Sequence, residues 1–456
     1  MKEGFKEATT GDVIPEALVV GAGIAGMQAA LDIADKGFEV HLVEKEPSIG
    51  GHMAQLDKTF PTLDCSACII TPKMAETASH PNIHLHTSSE VVKVEGAAGH
   101  FRVKLQKKPT YVDAKRCTGC GDCIEACILK KGVPSEFDEG MGRRKAIYIS
   151  FPQAVPLKAV VDPESCLFLS RGQCRKSCVE ACKAGAIDFD QQESQIEIEV
   201  GSIILATGFD LFDPRLKPEL GYKRYPNVLH GMEFERLCSA SGPTKGDISI
   251  EGKPPIDVVF IHCVGSRDKT VGNEYCSRVC CMSTAKQAHL VREKIPDARI
   301  TVLYMDMRAF GKGFEEFYER VQKERIIYRR ANPSEIYKRN GRLIVRGEDT
   351  LMRAPFEIEA DLVVLATGLI PRKGDEVLRS LLGLKQSSDR FYAQTPGFDP
   401  VLSGSEGIFL AGCCQGPKDI PDTVAQASGA AALACALLAK GKRVKPRPEG
   451  WGFPER

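Results

Sequence analysis

The sequence is short of stacking side chains and of net charge. One Trp and 10 Tyr stand in 456 residues, and the formal net charge is +1. So balanced a chain has no broad field to draw it to nucleic acid or to an anionic membrane. Long hydrophobic runs are missing as well. The longest small-apolar stretch, Val424 to Ala439, is broken by Gln426 and Ser428 and falls short of the ~20 residues of a membrane span. Met1 to Pro15 is polar and charged without an apolar segment, unlike a secretory leader. A reducing cytoplasm is therefore the expected compartment, with no direct membrane span and no nucleic-acid partner. The last absence concerns a motif. Strand-like Ile256 to Ile261 runs into Cys263-Val264-Gly265-Ser266, where a second dinucleotide site would need Gly-x-Gly-x-x-Gly.

One such fingerprint is present near the start. Apolar Ala17 to Val20 leads into Gly21-Ala22-Gly23-Ile24-Ala25-Gly26, a helix is expected over Met27 to Lys36, and Glu39 to Val43 reads as a second strand ending at Glu44. Strand, glycine turn, helix, strand and acid in this order form a dinucleotide-binding unit. Gly21, Gly23 and Gly26 allow a tight turn and close approach to a pyrophosphate. The helix N-terminus supplies N–H groups, and Glu44 is placed for a ribose hydroxyl. Lys45 and then Gly50-Gly51-His52 follow, as in flavoproteins of the disulfide-reductase type, which favours FAD over NAD. Two strands end in Ala-Thr-Gly, at Thr207-Gly208 and Thr367-Gly368. A third, Gly407 to Gly412, resembles the strand that brings backbone to the flavin ribityl chain. The helix expected over Thr423 to Lys440 would face the flavin ring with its N-terminus. In the turn before it, Lys418 is the candidate catalytic residue, a cation for the flavin ring; a surface lysine in a Gly-Pro turn is the competing reading.

The other abundance is cysteine, 18 in all. In a reducing compartment clustered cysteines bind metal more often than they form disulfides. Between strand-like Phe101 to Leu105 and Ile196 to Val200 lies an insertion carrying Cys117, Cys120, Cys123 and Cys127 at the spacing of the bacterial ferredoxin run. In that run three thiolates hold one four-iron cluster and the fourth ligates the other. A second, irregular set follows, Cys166, Cys174, Cys178 and Cys182. We read Cys127 with Cys166, Cys174 and Cys178, and Cys182 with the first three. A three-iron or decayed second site is the alternative. Four more cysteines, Cys263, Cys276, Cys280 and Cys281, fall within nineteen residues where the second glycine fingerprint is absent. Soft thiolates suit iron–sulfur clusters, zinc or copper(I); buried structural cysteines are the other reading. Cys65-Ser66-Ala67-Cys68 is either a redox dithiol or half a metal site. Cys413-Cys414 is either a flavin-linked dithiol or a small buried pair.

Several runs are longer than these patterns require: Thr59 to Cys68, Cys263 to Asp268, Tyr275 to Met282, Arg308 to Gly313 and Gln415 to Pro421. On them, residues 15 to 440 resemble the A-type subunits of heterodisulfide reductases and their relatives in anaerobes. The resemblance implies an α/β, thioredoxin/disulfide-reductase-like flavoprotein with two nucleotide-binding domains and an inserted ferredoxin-like α+β domain. It implies FAD, two four-iron clusters in the insertion and a further one on Cys263, Cys276, Cys280 and Cys281. The domains are then 15–110, 189–250 and 361–441 for FAD, 111–188 for the insertion, 251–360 for a degenerate NAD-type domain and 442–456 for a tail. The implied role is electron transfer inside an oxidoreductase complex, with electron bifurcation at FAD as a further expectation. The implied partners are iron–sulfur proteins such as the B and C subunits, around a homodimer. Larger family members carry extra cluster domains; about 16 residues precede the first strand here, so partner subunits are expected to supply one of the two routes. Subunits of tungsten-type benzoyl-CoA reductases and of quinone-linked complexes are the alternative within the resemblance. A self-contained NAD(P)H-dependent disulfide reductase is the alternative outside it.

Overall fold

The computed structural model describes residues 13–250, 252–397 and 399–441. The expected tail 442–456 lies outside them. Two parallel sheets dominate. The first has the order Ile408–Leu410, Ser202–Leu205, Glu16–Val20, Glu39–Val43, Ile83–His86, all parallel. Ala17, Leu18 and Val19 are fully buried, as expected of a parallel strand covered on both faces. Helices Ile24–Ala34 and Ile420–Leu438 lie together on one face, with Ala29, Ala30, Ala427, Ala430, Ala431 and Ala434 in a common core. A three-stranded antiparallel sheet, Ser89–Ala97, His100–Lys107 and Ser194–Val200, supplies Phe101, Val103 and Leu105 to the core of the other face.

The second sheet has the order Val228–His230, Leu362–Thr367, Asp257–Val264, Arg299–Tyr304, Ile326–Arg339, followed by antiparallel Arg342–Asp349 and Ala354–Ala360. Helices Gly231–Cys238, Cys280–Lys294 and Phe314–Lys323 pack on it around Phe234, Phe260, Met282, Ala285 and Phe317. This moves two sequence boundaries. Val228–His230 and Leu362–Thr367 belong to the second sheet, not to the FAD-type segments 189–250 and 361–441. The chain crosses between the sheets at Asp210–Leu211 and Leu369–Ile370, which pair antiparallel. A buried apolar strand reads the same in either sheet, so local sequence does not choose between them.

Helix bounds also move. Helices Ile24–Ala34 and Ile420–Leu438 each start three residues earlier than the expected Met27 and Thr423. Ile420–Gly441 is the one helical stretch among the described residues long and apolar enough to cross a membrane. Here its alanine face is core.

The insertion is closed at its base by Val112 against Ile187 and by the Asp188 N–H donating to the Tyr111 carbonyl. Inside it, the short helices Asp122–Glu125 and Ser177–Ala181 pack together. Its far end returns to the first domain: Phe137 and Phe151 stack at 4.5 Å and join the core under the glycine turn.

Candidate functional site

A cavity of about 680 Å³ opens where the two sheets and the insertion meet. Its floor is the glycine turn. Gly21 has φ +99°, and a Cβ there would stand 2.4 Å from the Ala206 carbonyl oxygen; one on Gly26 would stand 1.7 Å from that of Gly21. These two are needed for packing, and Gly26 does not reach the cavity wall. Gly23 differs: a Cβ would meet no atom within 4 Å, because its open side is the cavity. Gly23 is also the N-cap of helix Ile24–Ala34 and no side chain caps that end. Its N–H groups are thus available to an anion.

Glu44 and Lys45 line the cavity. The Glu44 carboxylate accepts the Ala22 N–H at 2.8 Å and the Glu46 N–H at 3.0 Å. Burial holds its pKa above the usual carboxylate range despite those bonds. Gly51 and His52 lie on the wall in a single 3₁₀ turn; the His52 ring sits 4.6 Å from that of Phe209. Thr207 and Gly208 are also on the wall, with Thr207 Oγ1 donating to Asp375 at 3.2 Å. Gly412 lies behind the wall; its N–H donates to Gln426 Oε1 at 2.8 Å, and a Cβ there would stand 2.8 Å from the Ala25 Cβ and 3.1 Å from Thr423. The Lys418 side chain faces the cavity, but its ammonium donates to Gly412 O, Gln415 Oε1 and Gly416 O at 2.8–3.0 Å. All three of its protons are used to hold the 412–418 loop, and burial lowers its pKa.

Sequence reasoning missed the rest of the wall. The insertion contributes Glu136, Phe137, Glu139, Tyr148 and Phe151. Gln55 ties it to the first domain, donating to Phe137 O at 3.0 Å and Glu139 Oε1 at 2.8 Å. From the second domain come Cys280, Ser283 and the buried pair Lys286–Glu235 at 2.7 Å. Lys286 also donates to Lys58 O at 2.8 Å, which fixes the cavity rim to the helix carrying Cys280. Apart from Cys280, already a candidate ligand in the sequence, no short motif marks these residues, because they meet only in the folded chain.

The expected thiol sets fall into three groups. Burial pushes the Cys123 thiol up to about 12, helped by neighbouring Cys117, Cys182 and Cys120. Cys178 is raised to about 11 by burial and by Cys127, Cys174 and Cys166. A small cavity is lined by the same four, Cys127, Cys166, Cys174 and Cys178. Burial raises Cys263 to about 12 and Cys280 well above the ordinary value, with Cys281 and Cys276 adding to both. Among the described residues, no three His, Cys, Asp or Glu side chains close on a single metal ion.

The third tetrad has distinctive backbone. Cys263, Arg267 and Arg278 have φ of 59°, 57° and 62°, left-handed values that non-glycine residues hold only where surroundings enforce them. Ser277 fastens the loop: its N–H donates to Ser266 Oγ at 3.0 Å, and its hydroxyl accepts the Leu369 N–H at 2.9 Å. Cys280 and Cys281 open helix Cys280–Lys294. The turn that would hold a second pyrophosphate is filled. A Cβ on Gly265 would stand 2.1 Å from the Phe212 ring, the reverse of open Gly23. His262 is buried with both ring nitrogens unpartnered, and burial alone holds its pKa down to about 4.

The remaining cysteines separate. Cys65 and Cys68 form a disulfide at the start of helix Ser66–Ser79. The Cys413 thiol is directed at Lys418 O and that of Cys414 at Leu205 O; both are free. Cys238 is core.

The pyridine nucleotide-disulphide oxidoreductase profile matches residues 15–431. The chain belongs to this family. Within it, a relative from Methanothermobacter marburgensis, the A-type subunit of its H(2):CoB-CoM heterodisulfide,ferredoxin reductase, is 52% identical over 441 residues, covering 96% of this chain and 66% of the relative. One from Methanopyrus kandleri, an A-type iron-sulfur subunit of CoB–CoM heterodisulfide reductase, is 54% identical over 437 residues, covering 94% and 65%. The resemblance read from the motifs is thus to relatives of high identity, and the chain spans about two thirds of their length. The crystal structure of T. acidophilum thioredoxin reductase matches with a TM-score of 0.51 at 15% identity, covering 93% of this chain and 99% of that one; it shares the fold.

Proposed function

We propose that this chain is the FAD and iron–sulfur electron-transfer subunit of a heterodisulfide-reductase-type complex, passing electrons between protein partners. One observation carries the reading. Where the family places its second dinucleotide, Phe212 covers Gly265 and a set of four thiols, Cys280 and Cys281 buried and Cys263 and Cys276 half-buried, stands beside it, with Cys280 on the cavity wall. FAD interconverts two-electron and one-electron chemistry, and the clusters carry single electrons. Gly23 and the uncapped helix start would hold the pyrophosphate, and Glu44 a ribose hydroxyl; Lys45, Gly51, His52, Thr207 and Gly208 would line the flavin. Lys418 would act by fixing the 412–418 loop under the ring and by its charge. Cys117, Cys120, Cys123 and Cys182 would hold one four-iron cluster; Cys127, Cys166, Cys174 and Cys178 a second; Cys263, Cys276, Cys280 and Cys281 a third. The insertion's reach into the cavity wall through Phe137 and Phe151 supports a route between its clusters and the flavin. The partners are other redox subunits in a cytoplasmic, anaerobic assembly.

Mixing the anaerobic, flavin-loaded chain with NADH or NADPH in a stopped-flow spectrometer tests this. The flavin band is expected to stay oxidised over seconds with either nucleotide, and to bleach with a one-electron donor such as reduced methyl viologen. Rapid bleaching by NADH alone would establish a self-contained disulfide reductase instead.

A further inference from the structure

Among the described residues, few buried side-chain polar atoms lack a partner, and three residues that carry them lie on the strand and helix that supply the third tetrad or pack against that helix's core. His262, next to Cys263, has neither Nδ1 nor Nε2 bonded; the Tyr328 hydroxyl and the Thr284 hydroxyl are also unpartnered. Buried polar groups are nearly always paired, so each such group calls for an explanation. Their positions supply one. His262 follows Val258 and Phe260 along its strand, whose side chains pack with Met282 and Ala285 on the helix that Cys280 and Cys281 open. Thr284 is one turn after Cys280 on that helix, and helical side chains lean back toward the N-terminus. Tyr328 packs against the same core cluster as Met282 and Ala285 of that helix, and Tyr318 packs edge-on against it at 5.0 Å.

We propose that His262 and Tyr328, with Thr284 beside them, donate hydrogen bonds to the sulfurs of the cluster held by Cys263, Cys276, Cys280 and Cys281, and so raise its reduction potential. The inference rests on the cluster reading above. A donor aimed at sulfur stabilises the reduced, more negative cluster over the oxidised one, and such bonds are among the levers that set iron–sulfur potentials. The three residues supply no bond to iron, so they act by positioning and tuning rather than as ligands.

The test is an EPR-monitored redox titration of the full chain, reconstituted anaerobically with iron and sulfide. The signal of the third cluster is the one that disappears in Cys280→Ser. Tyr328→Phe removes only a hydroxyl, and His262→Phe removes the ring donors while keeping bulk. Each is expected to make that signal harder to reduce by about tenfold in the equilibrium, the scale of one hydrogen bond felt differently by two charge states, or about 59 mV for a one-electron couple. The other signals and the iron content should not move. His262→Gln retains an N–H and should lie closer to the parent. Unchanged potentials in both Tyr328→Phe and His262→Phe, at full iron content, would overturn the tuning role and leave the cluster standing. If Cys280→Ser removes no signal, the cluster reading itself fails. Should His262→Phe not fold, Tyr328→Phe decides alone.

Discussion

Cys280→Ser is expected to cost the protein about four irons per chain, one whole cubane, while FAD remains bound at parental stoichiometry. Cys280 is the first residue of its helix and is 7% exposed, so serine fits the space and suits a helix start. The loss is not repaired from within. Cys281, the next residue on the same turn and roughly 100° round the axis, is already a ligand in the proposed set and cannot fill a second position. Cys413, the other cysteine on the cavity wall, has its thiol engaged with Lys418 O. Iron and flavin are measured on the same anaerobically purified sample. Iron equal to the parent's would refute the assignment of this tetrad.

Gly23→Val is expected to do the converse. Backbone at Gly23 is extended, with φ −74° and ψ −172°, which valine adopts freely. No protein atom lies within 4 Å of the added Cβ, so the fold should tolerate the change. The added methyl groups would stand where the pyrophosphate must approach. An affinity loss of at least about a hundredfold, roughly 2.7 kcal/mol, is expected for FAD, with iron content unchanged. Fluorescence quenching on titrating the apo-flavin chain measures it. Gly26→Val would not serve, because its clash with Gly21 O breaks the packing of helix on strand and FAD loss would follow from unfolding.

These two substitutions show which parts of the site could be read from sequence. Gly21, Gly23 and Gly26 announce a turn because strand, glycines and helix are contiguous, and local spacing carries the whole argument. The proposed grouping of Cys182 with Cys117, Cys120 and Cys123 has a different source: the ferredoxin spacing itself implies a crossed fourth ligand, and Cys182 lies near Cys123. Phe212 over Gly265 was not legible, since the two are 53 positions apart in the numbering and neither carries a motif. The same holds for Phe137 and Phe151, which bring the insertion against the flavin cavity, and for the Lys286–Glu235 pair. Leu362–Thr367 shows the limit of strand reading. Its apolar run and Ala-Thr-Gly end match those of Ser202–Leu205, yet hydrogen bonding puts it in the other sheet. Gly412 and Lys418 sit where a cofactor contact is expected, but one packs behind the wall and the other holds its own loop.

Metal and flavin analysis of the parent chain tests the central claim most directly. Reconstituted under strict anaerobiosis with iron, sulfide and FAD, the chain should carry about twelve irons, three four-iron clusters, one FAD and no stoichiometric zinc. Fewer than about eight irons, the content of two cubanes, or zinc in place of the third set, would contradict it.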